Sequence, residues 1–252
     1  MNSPRDADKD PASPPSQRPS PSLDGDGDSG SAFEVKFLLS EALAARLEQR
    51  AAEFLERDAF SDPTAGGSYR TTTVYFDTPG FDVLHRTPGF RRRKYRVRRY
   101  GQDQVVFLER KTRREDRVRK RRDSVSLGGL ASALKSDSVD AAWFATEVAD
   151  RELHPVCRMS YRRTAFNGTA DGGGVRLTFD RDIVGLPTNS HEPLPVDGTT
   201  PLLPGQVVCE MKFRGAMPAL FKNLVAEFGL SPSAVSKYRR LMGGTPRPET
   251  TA

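Results

Sequence analysis

The sequence predicts an α+β protein whose centre is a closed antiparallel β-barrel of about eight strands with flanking helices. Three observations lead there. Short segments along the chain alternate strictly between apolar and polar residues, the period-2 signature of strands with two different faces. At least five of these segments carry a charged polar face of mixed sign, with Glu-x-Lys recurring at 34/36, 109/111 and 210/212. Helical patterns are interspersed among the strands without the regular βαβ alternation of a parallel sheet. One open sheet would expose a large charged plane, whereas closure puts the charges into a lumen and turns the apolar faces outward onto helices.

Taken in order, residues 1–31 are rich in Pro, Ser, Asp and Gly and almost devoid of large apolar side chains, so a disordered tail is expected. Phe33 to Phe37 forms the first strand, with Glu34 and Lys36 sharing one face. A helical pattern follows from Ser40 to about Arg57. In Thr73 to Asp77, Tyr75 and Asp77 oppose Val74 and Phe76. Lys94 to Tyr100 and Val105 to Lys111 make a hairpin about Gly101-Gln102-Asp103, with Lys94, Arg96, Arg98 and Tyr100 on one face and Glu109 with Lys111 on another.

Val118 to Arg122 and Cys157 to Phe166 supply further strands, separated by a helix from Ala141 to about Glu152. Gly172 to Gly174 lacks the Gly-Lys-Ser/Thr ending of a P-loop and reads as a hairpin turn into Val175–Asp180. Val207 to Phe213 repeats the alternation, with Glu210 and Lys212 on its charged face. Two helices close the fold: Pro218 to about Phe228, stopped by Gly229, and Ser231 to Met242, with Pro232 at its first position. The last residues, 243–252, carry breakers without hydrophobic period and are expected to be a second tail, leaving a single domain over 32–242.

The net charge of +6 belongs to the folded part, because the first 31 residues hold more acidic than basic side chains. It is concentrated between Arg91 and Arg122, where sixteen Lys or Arg stand against four acidic residues. Such a field attracts polyanions: nucleic acid, anionic membrane or phosphate chains. No secretory signal and no long apolar stretch is present, so a cytoplasmic protein without a membrane span is expected. Cys157 and Cys209 read as packing residues, and His85, His154 and His191 have neither metal spacing nor a nucleophile motif beside them.

Rings of Lys and Arg suit phosphate oxygens through charge-assisted bonds. Carboxylates among them would repel the ligand unless a divalent cation intervened, which makes Glu34, Glu109, Glu210 and Asp180 candidate ligands for Mn²⁺ or Mg²⁺. Lys94 and Tyr75 share the inward faces and join the candidate substrate-binding residues. The aromatic residues Tyr95, Tyr100 and Phe107 do not form the stacking motif of an RNA-binding sheet, so no specific nucleic-acid partner is expected.

Eight motifs in order carry a family resemblance: Phe-Glu-Val-Lys-Phe (33–37), Val-Tyr-Phe-Asp-Thr-Pro (74–79), Lys-Tyr-Arg-Val-Arg-Arg-Tyr (94–100), Phe-Leu-Glu-Arg-Lys (107–111), Tyr-Arg-Arg-Thr-Ala-Phe (161–166), Arg-Leu-Thr-Phe-Asp-Arg-Asp (176–182), Glu-Met-Lys-Phe-Arg-Gly (210–215) and Ser-Lys-Tyr (236–238). Together they resemble the VTC domain, the polyphosphate polymerase domain of the vacuolar transporter chaperone type, among the CYTH-like triphosphate tunnel metalloenzymes. The resemblance implies a basic tunnel in which ATP passes its γ-phosphate to a growing inorganic polyphosphate chain with Mn²⁺ or Mg²⁺.

It also implies roles. Arg96, Arg98, Lys111, Arg163 and Arg176, with Lys36 and Lys237, stand where the family has phosphate-binding side chains, Lys120 is a further member, and Glu210 stands at the metal position. Arg163 is preferred over its neighbour Arg162 on motif spacing, and Lys237 is expected to reach in from a tunnel mouth because it lies on the last helix. Family members that also carry membrane and phosphate-sensing domains leave room for a membrane partner in trans. Two other readings stay open: a tripolyphosphatase or nucleoside triphosphatase on the same scaffold, and a non-catalytic polyanion binder.

Overall fold

A computed structural model describes residues 27–114, 117–135 and 141–243, with side chains from residue 32 onward. Nine strands are present: β1 (Gly27–Ser40), β2 (Glu56–Arg57), β3 (Tyr69–Asp77), β4 (Arg93–Tyr100), β5 (Val105–Arg114), β6 (Arg117–Ser126), β7 (His154–Ala170), β8 (Gly173–Pro187) and β9 (Gln206–Phe213). The order β7-β3-β4-β5-β6-β1-β9-β8 returns to β7 through the long β7–β8 hairpin, so eight antiparallel strands form a closed ring. The short β2 adds to the free edge of β7 beside β3.

Strand ends follow the turn residues. Between β7 and β8 the loop is Asp171-Gly172, both at positive φ, the two-residue geometry that matches strand twist. Gly101, at φ 52°, turns β4 into β5.

The described helices are α1 (Glu41–Ala51), α2 (Asp82–His85), α3 (Leu130–Ala133), α4 (Ala142–Asp150), α5 (Ala219–Glu227) and α6 (Lys237–Gly243), with a 3₁₀ turn at Pro63–Ala65. The outward apolar faces of the strands meet them, as alternation requires. Leu39, Leu177, Phe179, Cys209 and Met211 pack with Leu47 of α1 and Phe221 and Leu224 of α5. On the opposite wall Val74, Phe76, Val97 and Leu108 pack with Phe144 of α4 and Tyr238 and Leu241 of α6. Both cysteines are buried and unpaired, as expected of packing residues.

Two helix boundaries differ from expectation. The first helix ends at Ala51 instead of Arg57, because Glu56 and Arg57 pair with β7 and Leu55 closes over Gly168, where a Cβ would lie 2.6 Å from Leu55 Cδ2. The last begins at Lys237, not Ser231. Pro232 bridges Phe37, and Ser233 donates its N–H to the Lys36 carbonyl at 2.7 Å, so 231–236 is extended and the helix starts after Ser236. β1 begins at Gly27, ahead of the expected boundary at 32; the rest of the expected N-terminal tail, and 244–252 of the C-terminal one, lie outside the described residues.

Candidate functional site

The inward faces of the eight strands line an enclosed cavity with a free volume of about 70 Å³. From β1 and β9 come Glu34, Lys36, Glu210 and Lys212. β3 and β4 supply Tyr75, Lys94, Arg96 and Arg98, and β5 and β6 supply Lys111 and Lys120. β7 and β8 add Tyr161, Arg163, Arg176 and Thr178, while Lys237 reaches in from the first residue of α6. Twelve of the fourteen residues proposed from sequence therefore line one cavity, Glu109 and Asp180 being the exceptions. A wider vestibule of about 640 Å³ opens at one end, sharing Lys36, Lys94 and Lys111 with the cavity. Its walls mix apolar side chains, Phe33, Val35, Val83 and Val235, with Arg86, Arg93, Arg113 and Arg239.

The strand period settles two ambiguous placements. Arg163 points inward and is held by Asp180 through two bonds of 2.6 and 2.8 Å, while exposed Arg162 pairs with Asp182 outside. In the run 117–122, which is basic on both faces, Val118, Lys120 and Arg122 are buried and Arg117, Arg119 and Arg121 are exposed.

The carboxylates divide into two kinds. Glu34 accepts from Lys111 Nζ at 2.5 Å, and Glu210 lies 3.4 Å from Lys36 Nζ with its side chain 23% exposed to the lumen. Burial would raise the Glu210 carboxyl, but Lys36 and Lys111 outweigh it and hold the group well below its ordinary range. Glu109 is fully enclosed. One of its oxygens accepts from Arg96 Nε at 2.5 Å and the other from Arg122 Nε at 2.7 Å and from Arg122 Nη2, with Lys120 Nζ 3.7 Å away. Glu109 thus departs from the expected metal ligand: guanidinium groups occupy both oxygens, and it is the internal counter-ion of the barrel.

Asp180, bonded to Arg163 and to Lys237 at 2.5 Å, is likewise committed. Among the described residues no group of three or more His, Cys, Asp or Glu could hold a metal. A cation here would rely on Glu34 and Glu210 plus phosphate oxygens, a donor set that Mg²⁺ or Mn²⁺ accepts.

Two lysines show how the wall is tuned. Burial works against the charge of Lys36, yet Glu210 and Glu34 hold its pKa above the ordinary value. Lys94, whose Nζ donates to Ser236 Oγ at 3.0 Å, has no carboxylate in ion-pair distance among the described residues; burial, with Lys36, Lys111 and Arg96 nearby, depresses it well below normal.

Sequence reading left Lys212, Tyr161, Thr178 and Arg122 out of the site. Alternation already put Lys212 and Thr178 on charged faces, so period alone could have found them. The Thr178 hydroxyl is buried without a hydrogen-bond partner and faces the cavity, an orphan that a ligand oxygen would satisfy. Tyr161 carries Lys237 Nζ 4.8 Å from its ring centroid and accepts from Arg98 Nη2 at 3.0 Å.

The chain is similar to several solved structures. One, from Hippeastrum, is described as a candidate adenylyl cyclase with a dominant triphosphatase activity; it is 14% identical, with 86% of this chain and 97% of that one covered at a TM-score of 0.50. Another, from Bacillus halodurans and described as a candidate adenylate cyclase, is also 14% identical, covering 82% of this chain and 95% of that one at a TM-score of 0.49. The Hippeastrum likeness shows a shared fold. No match is found among curated proteins. The model of the VTC domain matches residues 31–242, from within β1 to within α6, and the chain belongs to the VTC domain family.

Proposed function

We propose that this protein is a metal-dependent phosphotransferase that seats the triphosphate of ATP in the barrel and passes its γ-phosphoryl group to inorganic polyphosphate. The observation that carries the reading is a lumen in which Arg96, Arg98, Arg163 and Lys36 converge on one small cavity, with Glu210 beside Lys36 in its wall and Glu34 shared with the vestibule. The vestibule has room for a nucleoside, and its apolar and arginine side chains suit a base and ribose left outside the phosphate channel.

Phosphoryl transfer needs positioning and charge neutralisation more than a covalent nucleophile. The guanidinium groups would hold the phosphate oxygens in fixed directions, and Lys237 and Lys111 would add point charges at the sides. A divalent cation on Glu34 and Glu210 would neutralise charge on the transferring group. Among the described residues no helix is long and apolar enough to cross a membrane, in keeping with a cytoplasmic site of action.

Hydrolysis is the second reading, favoured by the narrowness of the lumen, where water reaches a terminal phosphate more readily than a long chain does. Purified protein given ATP and Mn²⁺ should yield acid-labile chains; free phosphate without chains assigns hydrolysis, and binding without turnover assigns a polyanion binder. Arg96→Ala and Glu210→Gln should each abolish turnover with the fold intact, and activity surviving both would refute the assignment.

A further inference from the structure

Asp77, the last residue of β3, is a carboxylate with no exposed surface and no cation in ion-pair distance among the described residues. Four neutral donors hold it instead. Oδ1 accepts from the N–H groups of Thr78 and Val83, each at 2.8 Å, and Oδ2 from the N–H of Leu84 at 2.9 Å and from Tyr238 Oη at 2.5 Å. The backbone bonds fix the start of α2, where free N–H groups and the helix dipole favour an anion. The phenol comes from α6, 161 residues further along the chain, and nothing in α2 requires it. It joins two motifs that lie apart in the sequence, Val-Tyr-Phe-Asp-Thr-Pro and Ser-Lys-Tyr.

What the phenol bond fixes is the root of Lys237. The three residues of Ser-Lys-Tyr go to three walls of the barrel. Ser236 Oγ accepts from Lys94 Nζ of β4 at 3.0 Å, Lys237 Nζ donates to Asp180 of β8 at 2.5 Å, and the Tyr238 ring stacks on lumen-lining Tyr75 of β3 at 5.2 Å between centroids. α6 has seven residues and follows an extended segment, so its own hydrogen bonds do not set its place, a helix this short being unstable alone. Crowded like charge works against the docking: Arg239 of α6 is depressed by burial and by Arg86, the residue that follows α2. Lysine reaches through a flexible four-carbon stem, so its ammonium is placed only as well as its Cα.

We infer that Asp77 is a positioning residue for the phosphate channel: through Tyr238 it anchors the first turn of α6, and that anchor sets where Lys237 Nζ meets a phosphate oxygen. This rests on the proposed reading that the lumen takes a phosphate chain. A phosphate that draws Lys237 away from Asp180 removes one tether of the turn and leaves the Asp77 bond to hold it. Tyr238 keeps its proton for that bond, because burial and the Asp77 carboxylate push its hydroxyl above the ordinary value.

The test is calorimetry with tripolyphosphate on the full chain as wild type, Tyr238→Phe, Lys237→Met and the double variant. Tyr238→Phe keeps the ring on Tyr75 and loses only the hydroxyl. Lys237→Met should weaken binding about tenfold or more, the worth of a charge-assisted bond. Tyr238→Phe should weaken it at least about threefold, within the range of coupling inside one network, and should cost nothing further in the Lys237→Met background. Losses that multiply would show the hydroxyl acting through the fold at large and would overturn the inference, as would either single variant binding as tightly as wild type. Asp77→Asn keeps a carbonyl for the α2 N–H groups but presents an amide where Tyr238 needs an acceptor. It should show the same dependence on Lys237, and it decides the question if Tyr238→Phe fails to fold. A wild-type protein that does not bind tripolyphosphate refutes the proposed function and the inference with it.

Discussion

Glu109 and Glu210 are both inward-facing carboxylates flanked by cations, and replacing each by glutamine should give opposite phenotypes. Glu109 is enclosed by Arg96, Arg122 and Lys120 and has no exposed surface. Burial by itself would raise its carboxyl; the Arg122, Arg96 and Lys120 charges prevail and hold it well below its ordinary value. Removing one partner of a buried ion pair costs about 3–5 kcal/mol, since the charges left behind remain desolvated and unmatched. For a chain of this size each kcal/mol is about 2–4 °C in Tm, so Glu109→Gln should melt about 6–20 °C lower.

Glu210, 3.4 Å from Lys36 and part-exposed to the lumen, belongs to the wet kind of pair worth at most about 1 kcal/mol, so Glu210→Gln should shift Tm by no more than about 4 °C. Its effect should fall on metal: loss of outer-sphere partners alone costs about 10–100-fold in affinity, so loss of the ligand itself should raise the Mn²⁺ requirement by at least about tenfold. Thermal melts of both variants, with Mn²⁺ titrated into the turnover assay, decide the matter. A Glu109→Gln protein as stable as wild type but with weakened Mn²⁺ dependence would refute the counter-ion assignment and restore Glu109 to the metal site.

Two further outcomes follow from the same electrostatics. Burial opposes ionisation of Asp180, but Arg163 and Lys237 hold its carboxyl below the ordinary value of about 3.9, so it stabilises the fold above that pH and the contribution is lost as pH falls through the lowered range. Asp180→Asn should therefore be less stable at neutral pH and show a shallower loss of Tm below about pH 4, checked by melts across an acid series; equal slopes would contradict the pairing. Lys94 is depressed by burial and by Lys36, Lys111 and Arg96, so bound tripolyphosphate should drive its reprotonation. Calorimetry at alkaline pH in buffers of different ionisation enthalpy should show proton uptake that disappears in Lys94→Met; identical uptake in the two proteins would assign the proton elsewhere.

Much of the barrel was legible because its signal is periodic. A strand with Arg96 and Arg98 on the face opposite Tyr95 and Val97 has one consistent arrangement when the apolar side meets a helix, whereas Arg163 is separable from Arg162 by motif spacing alone, its pairing with Asp180 being a matter of register. The pairing of charges was not legible. Glu109 and Glu210 stand in the same Glu-x-Lys pattern, yet one meets Arg96 and Arg122 from neighbouring strands and the other a single lysine, a difference set by register between distant segments. The start of the last helix was misread because Pro232 is compatible with a first helical turn and with an edge bridge, and contact with Lys36 and Phe37 decides between them. The buried aromatic cluster of Phe60, Tyr69, Tyr100 and Phe107 is half legible: Tyr100 and Phe107 fall on the charged faces of their strands, but Phe60 comes from the irregular loop after β2 with no period to read.

The charge pairs are graded along the lumen, and the grading bears on how a phosphate chain would settle there. At depth, Asp58 and Glu109 have no exposed side-chain surface and hold Arg176 and Arg122, each nearly as enclosed. Nearer the vestibule the contacts loosen: Lys36 and Glu210 are about a quarter exposed, and Lys94 meets only a serine hydroxyl among the described residues. A phosphate oxygen gains a lysine cheaply where the resident carboxylate is wet or absent, since little desolvation has been invested in the pair it replaces. Displacing Asp58 from Arg176 would strand a buried carboxylate. An incoming chain would therefore collect Lys94 and Lys36 first, then compete with Glu34 for Lys111 and with Asp180 for Arg163 and Lys237, and meet its limit where the counter-ions can no longer be exchanged.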